Sequence, residues 1–434
     1  MKNKKKIVLL GGLIFSTLFH FNSQAQEKNT ISISSKEIIK VDATQYYKEP
    51  FRPQFHFSPE KKWMNDPNGM LFHNGTYHLF YQYYPEDIVW GPMHWGHATS
   101  KDLIHWQHKK IALFPDELGY IFSGSAVMDT NNTSGLGTKE NPPMIAVFTY
   151  HNMEFEKAGK INTQTQGLAY SLDQGETWKK YNANPIINNI TLKDFRDPKV
   201  FWNDTKNKWD MVLAAGDRIK IFSSVNLKDW TFESDFKPTI DDKDLGVWEC
   251  PDLFKMKMGK VEKWVMIVSH GDKAPNGGSG TRYFIGDYDG KTFTNTQKAI
   301  WLDYGTDAYA GVTFSNTPNN KKILLAWMSN WKYANKTPTE VWRGAMTLPR
   351  EVTLVNIAEK EWKLKSEIVR EFESYKENKT AISKNNIVDD HLLIHQKNPL
   401  VCELNISFNR KPLKGEFTIS ISSPLACCSS PTYW

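Results

Sequence analysis

Between about Phe51 and Pro349, apolar and polar residues alternate in short runs broken by Gly, Asn and Asp, and no stretch holds a helical period. The pattern predicts strand after strand. Within residues 66–113 it places strands at Gly69–His73, Thr76–Tyr83, His94–Ala98 and His105–Leu113, with the hairpin dipeptide Asn74-Gly75 after the first. Residues 197–236 repeat the plan, with strands at Pro198–Asn203, Trp209–Ala215, Arg218–Ser223 and Trp230–Asp235. Similar units can be drawn over roughly 120–187, 248–300 and 308–355. One turn recurs at matching places. The segment from Ser100 to Trp106, with Asp102 and Leu103 inside it, resembles that from Ser224 to Trp230, with Asn226 and Leu227. Residues 171–178 are a looser copy with one additional residue, turning at Gln174-Gly175. Units of about 40–70 residues with four antiparallel strands each are the signature of a propeller, and a β-sandwich would not repeat this turn. The expected fold is all-β: a five-bladed β-propeller over residues 51–355.

The flanks read differently. Lys2, Lys4, Lys5 and Lys6 precede an apolar run from Ile7 to Phe19, and Ser23 and Ala25 are small residues where a signal peptidase needs them. Residues 1–25 are therefore expected to be a signal peptide, with the protein secreted or held in the periplasm or cell envelope. No later segment is long and apolar enough for a transmembrane anchor. Residues 26–50 form a polar lead-in. After Arg350 the composition shifts to Lys and Glu, so residues 356–390 are expected to be a linker. Short strands resume from His391 to Ile421, but the pattern does not continue through Pro424–Trp434. Residues 391–434 are expected to be the truncated start of a C-terminal β-sandwich, with a cut or frame-shifted tail.

Composition adds two points. The chain carries 16 Trp, 17 Tyr and 24 Phe, and aromatic faces suit the C–H faces of sugars as well as β-rich cores. Removing the four leader lysines from the formal charge of +6 leaves +2, which gives no basis for nucleic-acid binding. Cys250, Cys402, Cys427 and Cys428 show neither metal-ligand spacing nor a disulfide framework.

Three acids stand at equivalent places: Asp66 before Pro67, Asp197 before Pro198, and Glu249 beside Cys250, each opening the first strand of a blade. First strands line a propeller's axis, so these carboxylates are expected to converge at one end of the funnel. Like charges gathered there repel, an arrangement that suits catalysis more than structure. Glycoside hydrolysis needs two carboxylates flanking the scissile bond, one protonated and one ionised. Trp248 is expected to supply the apolar wall beside Glu249. His94 and His97 stand three apart, which on a strand points them to opposite faces, so no metal site is expected.

The segments Trp63-Met-Asn-Asp-Pro-Asn-Gly69, Arg196-Asp-Pro198 and Glu249-Cys250 resemble, in order, the three signature motifs of glycoside hydrolase family 32, which includes invertases, inulinases and levanases. The likeness runs from about Phe51 to Arg350. It implies a retaining enzyme with a five-bladed propeller followed by a β-sandwich, and no cofactor. By that resemblance Asp66 is the nucleophile, Glu249 the acid/base, and Asp197 the transition-state stabiliser with Arg196 nearby. Asn65 and Gln82 resemble fructose hydroxyl ligands, and Trp90 a sugar-facing aromatic. Phe122 and Ser123 belong to a segment bordering the sugar, and Trp327 resembles a pocket wall. Residues 330–343 look more like microbial exo-inulinases and levanases than plant or yeast invertases. The implied activity is release of terminal fructose from levan, inulin or fructo-oligosaccharides, with sucrose as a further substrate. Three other readings stay open: a fructosyltransferase, a non-catalytic glycan-binding propeller, and a related inverting propeller acting on arabinans. The oligomeric state is not legible.

Overall fold

Five antiparallel sheets follow one another along the chain, and each is a blade. The computed structural model describes residues 46–377, apart from 241–244 and 359–360. Blade one comprises β1 (Lys62–His73), β2 (Thr76–Tyr84), β3 (His94–Ser100) and β4 (Trp106–His108). Blade two comprises β5 (Tyr120–Met128), β6 (Met144–His151), β7 (Gln164–Ser171) and β8 (Lys179–Lys180), with the short helix α1 (Met153–Lys157) between β6 and β7. Blade three is β9 (Arg196–Asn203), β10 (Lys208–Ala215), β11 (Arg218–Ser224) and β12 (Thr231–Phe236). Blade four is β13 (Trp248–Met258), β14 (Val261–His270), β15 (Gly280–Tyr288) and β16 (Phe293–Asn295), with β17 (Ile300–Trp301) also on β15. In blade five, β18 (Tyr309–Thr313) and β19 (Lys322–Trp327) come first; β20 (Trp342–Arg343) crosses to pair with β1; and β21 (Arg350–Ala358) and β22 (Glu361–Ile368) complete the sheet.

Period-two alternation explains how the blades stack. Along β10, Met211 and Leu213 pack toward blade two, while Val212 and Ala214 pack toward blade four. Each of the five blade interfaces owns such a core, including the one where blade five meets blade one through Leu325, Phe314, Leu79 and Met64. The recurring turn is a shared hydrogen-bond device. Ser100 Oγ accepts from the Leu103 N–H, Asp102 accepts from Ile104 and His105, and Trp106 Nε1 donates to the Leu103 carbonyl. In the copy, Asn226 accepts from Lys228 and Asp229, and Trp230 donates to Leu227. Leu103 and Leu227 both take positive φ, 65° and 62°, and Gly175 holds the matching place at 86°.

One boundary differs from expectation. Residues 356–358 and 361–368, read as linker, belong to β21 and β22, so blade five runs to Ile368. The Lys and Glu content there marks a solvent-facing outer strand, not the end of the domain. The expected leader, the lead-in as far as residue 45, the remainder of the linker from 378 and the start of the second β domain lie outside the described residues.

Candidate active site

The innermost strands β1, β5, β9, β13 and β18 neighbour one another in a ring. Each departs from regular pairing at a corresponding point: between Met64 and Pro67, Ile121 and Gly124, Arg196 and Lys199, Glu249 and Asp252, and Tyr309 and Val312. A bulge adds a residue, bends the strand and re-aims a side chain. Asp197, Cys250 and Ala310, within these irregular stretches, have positive φ values of 66°, 45° and 55°. Backbone strain of this kind gathers at functional sites.

The bulges bring the three acids together. Asp66 Oδ2 accepts from Ser123 Oγ at 2.8 Å, and Oδ1 accepts from Asn65 Nδ2 at 3.0 Å. Asp197 Oδ2 accepts from the Cys250 N–H at 2.9 Å, while its own N–H donates to Thr149 Oγ1 at 2.9 Å. The Cys250 thiol lies between the two aspartates, 3.5 Å from Asp66 Oδ2 and 3.6 Å from Asp197 Oδ2. Arg196 Nη2 donates to Glu249 Oε1 at 3.1 Å, and Nη1 donates to Asp194 Oδ1 at 2.6 Å. The Tyr309 hydroxyl donates to Glu249 Oε2.

One guanidinium thus serves several carboxylates. Burial raises Asp66 above the usual carboxylate range, helped by the charge of Glu249 and opposed by the Ser123 and Asn65 hydrogen bonds. Burial likewise pushes Asp197 up to about 7, against the pull of Arg196 and with the repulsion of Glu249 and Asp66. Burial alone would lower Arg196, yet Glu249, Asp197 and Asp194 hold it more firmly protonated than usual. Burial and the adjacent acids also keep the Cys250 thiol protonated. Burial thus favours the protonated form of Asp197 up to near neutral pH.

The expected ligands fall into distinct places. Trp90 and Phe122 are half-buried, their rings meeting edge-on at 6.1 Å. Ser123 is buried against Asp66. Asn65 and Gln82 are also buried and committed within the protein. The Asn65 oxygen accepts from Trp63 Nε1 at 2.8 Å, and Gln82 Nε2 donates to the Ile121 carbonyl at 3.0 Å. With the Asn68 amide turned to satisfy both its ends, its oxygen accepts from Gln82 and its nitrogen donates to Ser123. Two tryptophans depart from expectation. Trp327 is fully buried against Trp63, Trp331 and Tyr309, so it backs the site instead of walling it, and the Trp331 ring against it is half-buried. Trp248 stacks on Phe284 in the core between blades three and four, because the residue before an axis-facing Glu249 must face the other way. Tyr309, and not Trp248, is the aromatic residue on Glu249, and it meets the carboxyl with its hydroxyl, not with an apolar face. Tyr309, Thr149 and Asp194 were not singled out by sequence, and Cys250 was read only as part of the Glu249-Cys250 motif; Tyr309 had a positional signal, as the opening residue of the fifth first strand.

A model of the glycosyl hydrolases family 32 N-terminal domain matches residues 56–367. The chain belongs to glycoside hydrolase family 32. Among family relatives, it is 53% identical over 317 residues to a levanase of Bacillus subtilis, covering 71% of this chain and 46% of that one. It is 43% identical over 345 residues to an extracellular exo-inulinase of Aspergillus ficuum, covering 72% of this chain and 64% of that one. The chain thus spans between about half and two thirds of the length of these relatives. Among solved structures, an exo-inulinase from Aspergillus awamori superposes with a TM-score of 0.68 at 41% identity, covering 74% of this chain and 68% of that one. A β-fructofuranosidase from Schwanniomyces occidentalis complexed with fructosyl-erythritol gives 0.67 at 39%, covering 76% and 64%. Among the described residues no helix is long and apolar enough to cross a membrane.

Proposed function

We propose that this family 32 protein is a retaining exo-acting β-fructofuranosidase that releases terminal fructose from fructans of the levan and inulin type, and from sucrose. The observation that carries the reading is the convergence of Asp66, Asp197 and Glu249 around Arg196 and Cys250 at the axis. The levanase and exo-inulinase relatives support the substrate class.

Asp66 attacks the anomeric carbon of the terminal fructosyl unit, with Ser123 and Asn65 fixing its carboxylate. Glu249 donates a proton to the departing oxygen, and a fructosyl ester forms on Asp66. Glu249, now a carboxylate, takes a proton from water as that water attacks the same carbon; two inversions give retention. Asp197 binds fructose hydroxyls, and Arg196 balances the charge of Glu249 and Asp197. Gln82 borders the fructosyl pocket, Trp90 and Phe122 give the sugar an aromatic wall, and Trp327 supports Trp331 behind the site. No cofactor or metal takes part. The apolar leader and the extracellular relatives support export, with residues 1–25 as signal peptide.

Chromatography of sugars released from levan, inulin and sucrose tests the proposal. Free fructose as the main product is expected, with Glu249→Gln slowing its release by about 10²–10⁴-fold. Short oligosaccharides would indicate internal cleavage, and no product from folded protein would remove the enzyme reading.

A further inference from the structure

Arg196 is the cation that the acid cluster shares, and something must hold its position. Blade two does so through two glutamines that project from the same face of β7. Gln166 Nε2 donates to the Phe195 carbonyl at 2.8 Å, while its oxygen accepts from Thr149 Oγ1 at 2.7 Å. Gln164 takes the other side of the same residue. Its Oε1 accepts from the Phe195 N–H at 2.7 Å and from Arg196 Nη1 at 3.3 Å.

The orientation of the Gln164 amide follows from that backbone contact. A backbone N–H can only donate, so the amide oxygen must face Phe195 and the amide nitrogen must face the opposite way. There it meets His151 Nδ1 at 3.2 Å. An amide N–H donates, so Nδ1 must be the bare acceptor nitrogen, and the neutral ring carries its proton on Nε2. That nitrogen lies 2.8 Å from Glu156 Oε2, an acceptor fit for it. Burial lowers the tendency of His151 to take a second proton, in keeping with the neutral ring. The ring also lies flat against Phe122, with centroids 4.3 Å apart and planes 3° apart. Gln164 and His151 are both buried.

We propose that Gln164 is a positioning residue of the acid cluster: held in one orientation by the Phe195 N–H, with its own N–H on the bare Nδ1 of His151, it presents its oxygen to Arg196 and so fixes how that guanidinium is placed between Asp194 and Glu249. Reversing the amide would aim N–H groups at a guanidinium and a backbone N–H. The assignment rests on the hydrolase reading above, because the position of Arg196 matters only where Glu249 does chemistry. It adds to that reading a second layer of control, seated in the neighbouring blade.

The test is steady-state hydrolysis of sucrose and inulin by the full chain, with folding checked by circular dichroism and melting. Gln164→Met keeps the length and removes the acceptor; kcat is expected to fall about tenfold to a hundredfold with KM changed less than about threefold, as for one lost hydrogen bond to a charged group. Gln164→Glu keeps an oxygen facing Arg196 but sets its other oxygen against the bare His151 Nδ1 and adds a negative charge beside Arg196 and Glu249, so the basic limb of its kcat–pH profile is expected to move to higher pH. His151→Phe keeps the ring on Phe122 but takes the acceptor from the Gln164 amide N–H while the Phe195 N–H still holds its oxygen, so kcat is expected to fall less than in Gln164→Met. Natural kcat in folded Gln164→Met, or an unshifted pH profile in Gln164→Glu, would overturn the assignment. Should Gln164→Met fail to fold, natural kcat in folded Gln164→Ala would do so. Glu249→Gln, run alongside, separates the two claims: if it keeps full activity, the hydrolase reading itself fails.

Discussion

Asp197 carries the clearest pH signature at the scale of single residues. Its ordinary value of 3.8 rises to about 7 in the fold. Between those values the folded protein keeps a proton that the unfolded chain has released. This group therefore favours the fold fully below about pH 4, and its contribution is lost as pH rises through about 7. Asp197→Asn should remove that slope, so the natural protein's melting temperature should fall relative to the variant's as pH rises from 4 to 7. Parallel curves would show that Asp197 does not titrate in this window. The acids themselves were legible in the sequence because each sits beside a proline or cysteine at the start of a repeated unit. Trp248 was misread although strand alternation already excluded it, since consecutive side chains cannot both face the axis. The place of Cys250 between the two aspartates and the role of Tyr309 were hidden for another reason. What brings them to the acids is bulge geometry, and no local periodicity encodes a bulge at Cys250 or Ala310.

At the scale of elements, three innermost strands are tied together below the acids. Lys199 Nζ on β9 donates to Asp252 Oδ2 on β13 at 3.1 Å and to the Thr313 carbonyl on β18 at 2.6 Å. Asp252 Oδ2 also accepts from the Thr313 N–H and hydroxyl, each at 2.7 Å. Asp252 is fully enclosed and Lys199 nearly so. Removing one partner of a buried pair leaves the other charge uncompensated, so Asp252→Ala should lose about 3–5 kcal/mol. Urea unfolding measures this, and a loss below about 1 kcal/mol would contradict the buried-pair account. The strands themselves were read well where alternation is strong: β9 to β12 fall within two residues of expectation at each end. Blade five was cut short because β22 is mostly exposed on the outer edge, and only Trp362 and Leu364 in it turn apolar side chains to the core.

At the scale of the molecule, the blades form a closed ring of five interfaces, and β20 adds a clasp. Trp342 and Arg343 pair in parallel with Lys62 and Trp63 of β1, and the Arg52 guanidinium lies 4.4 Å over the Trp342 ring. Each inner blade face depends on its neighbours, so loosening one interface should weaken the whole. Leu213→Ala, between blades two and three, and Leu325→Ala, between blades five and one, should each cost about 2–5 kcal/mol. Both should lower one shared thermal transition, and two separate transitions in calorimetry would show that the blades unfold independently. The number of blades was legible in the repeat, whereas the clasp was not, since two residues inside a long connection carry no pattern. The ring matters because it fixes Asp66 from blade one against groups from blades three and four. The proposed hydrolysis turns on covalent fructosylation of Asp66. Glu249→Ala, given a fructosyl fluoride whose leaving group needs no acid, should accumulate the intermediate for peptide mass spectrometry after an acid quench. The account predicts one fructosyl unit on the peptide containing Asp66, absent when Asp66 is also changed to Ala; an adduct on another residue, or turnover with inversion and no adduct, would contradict it.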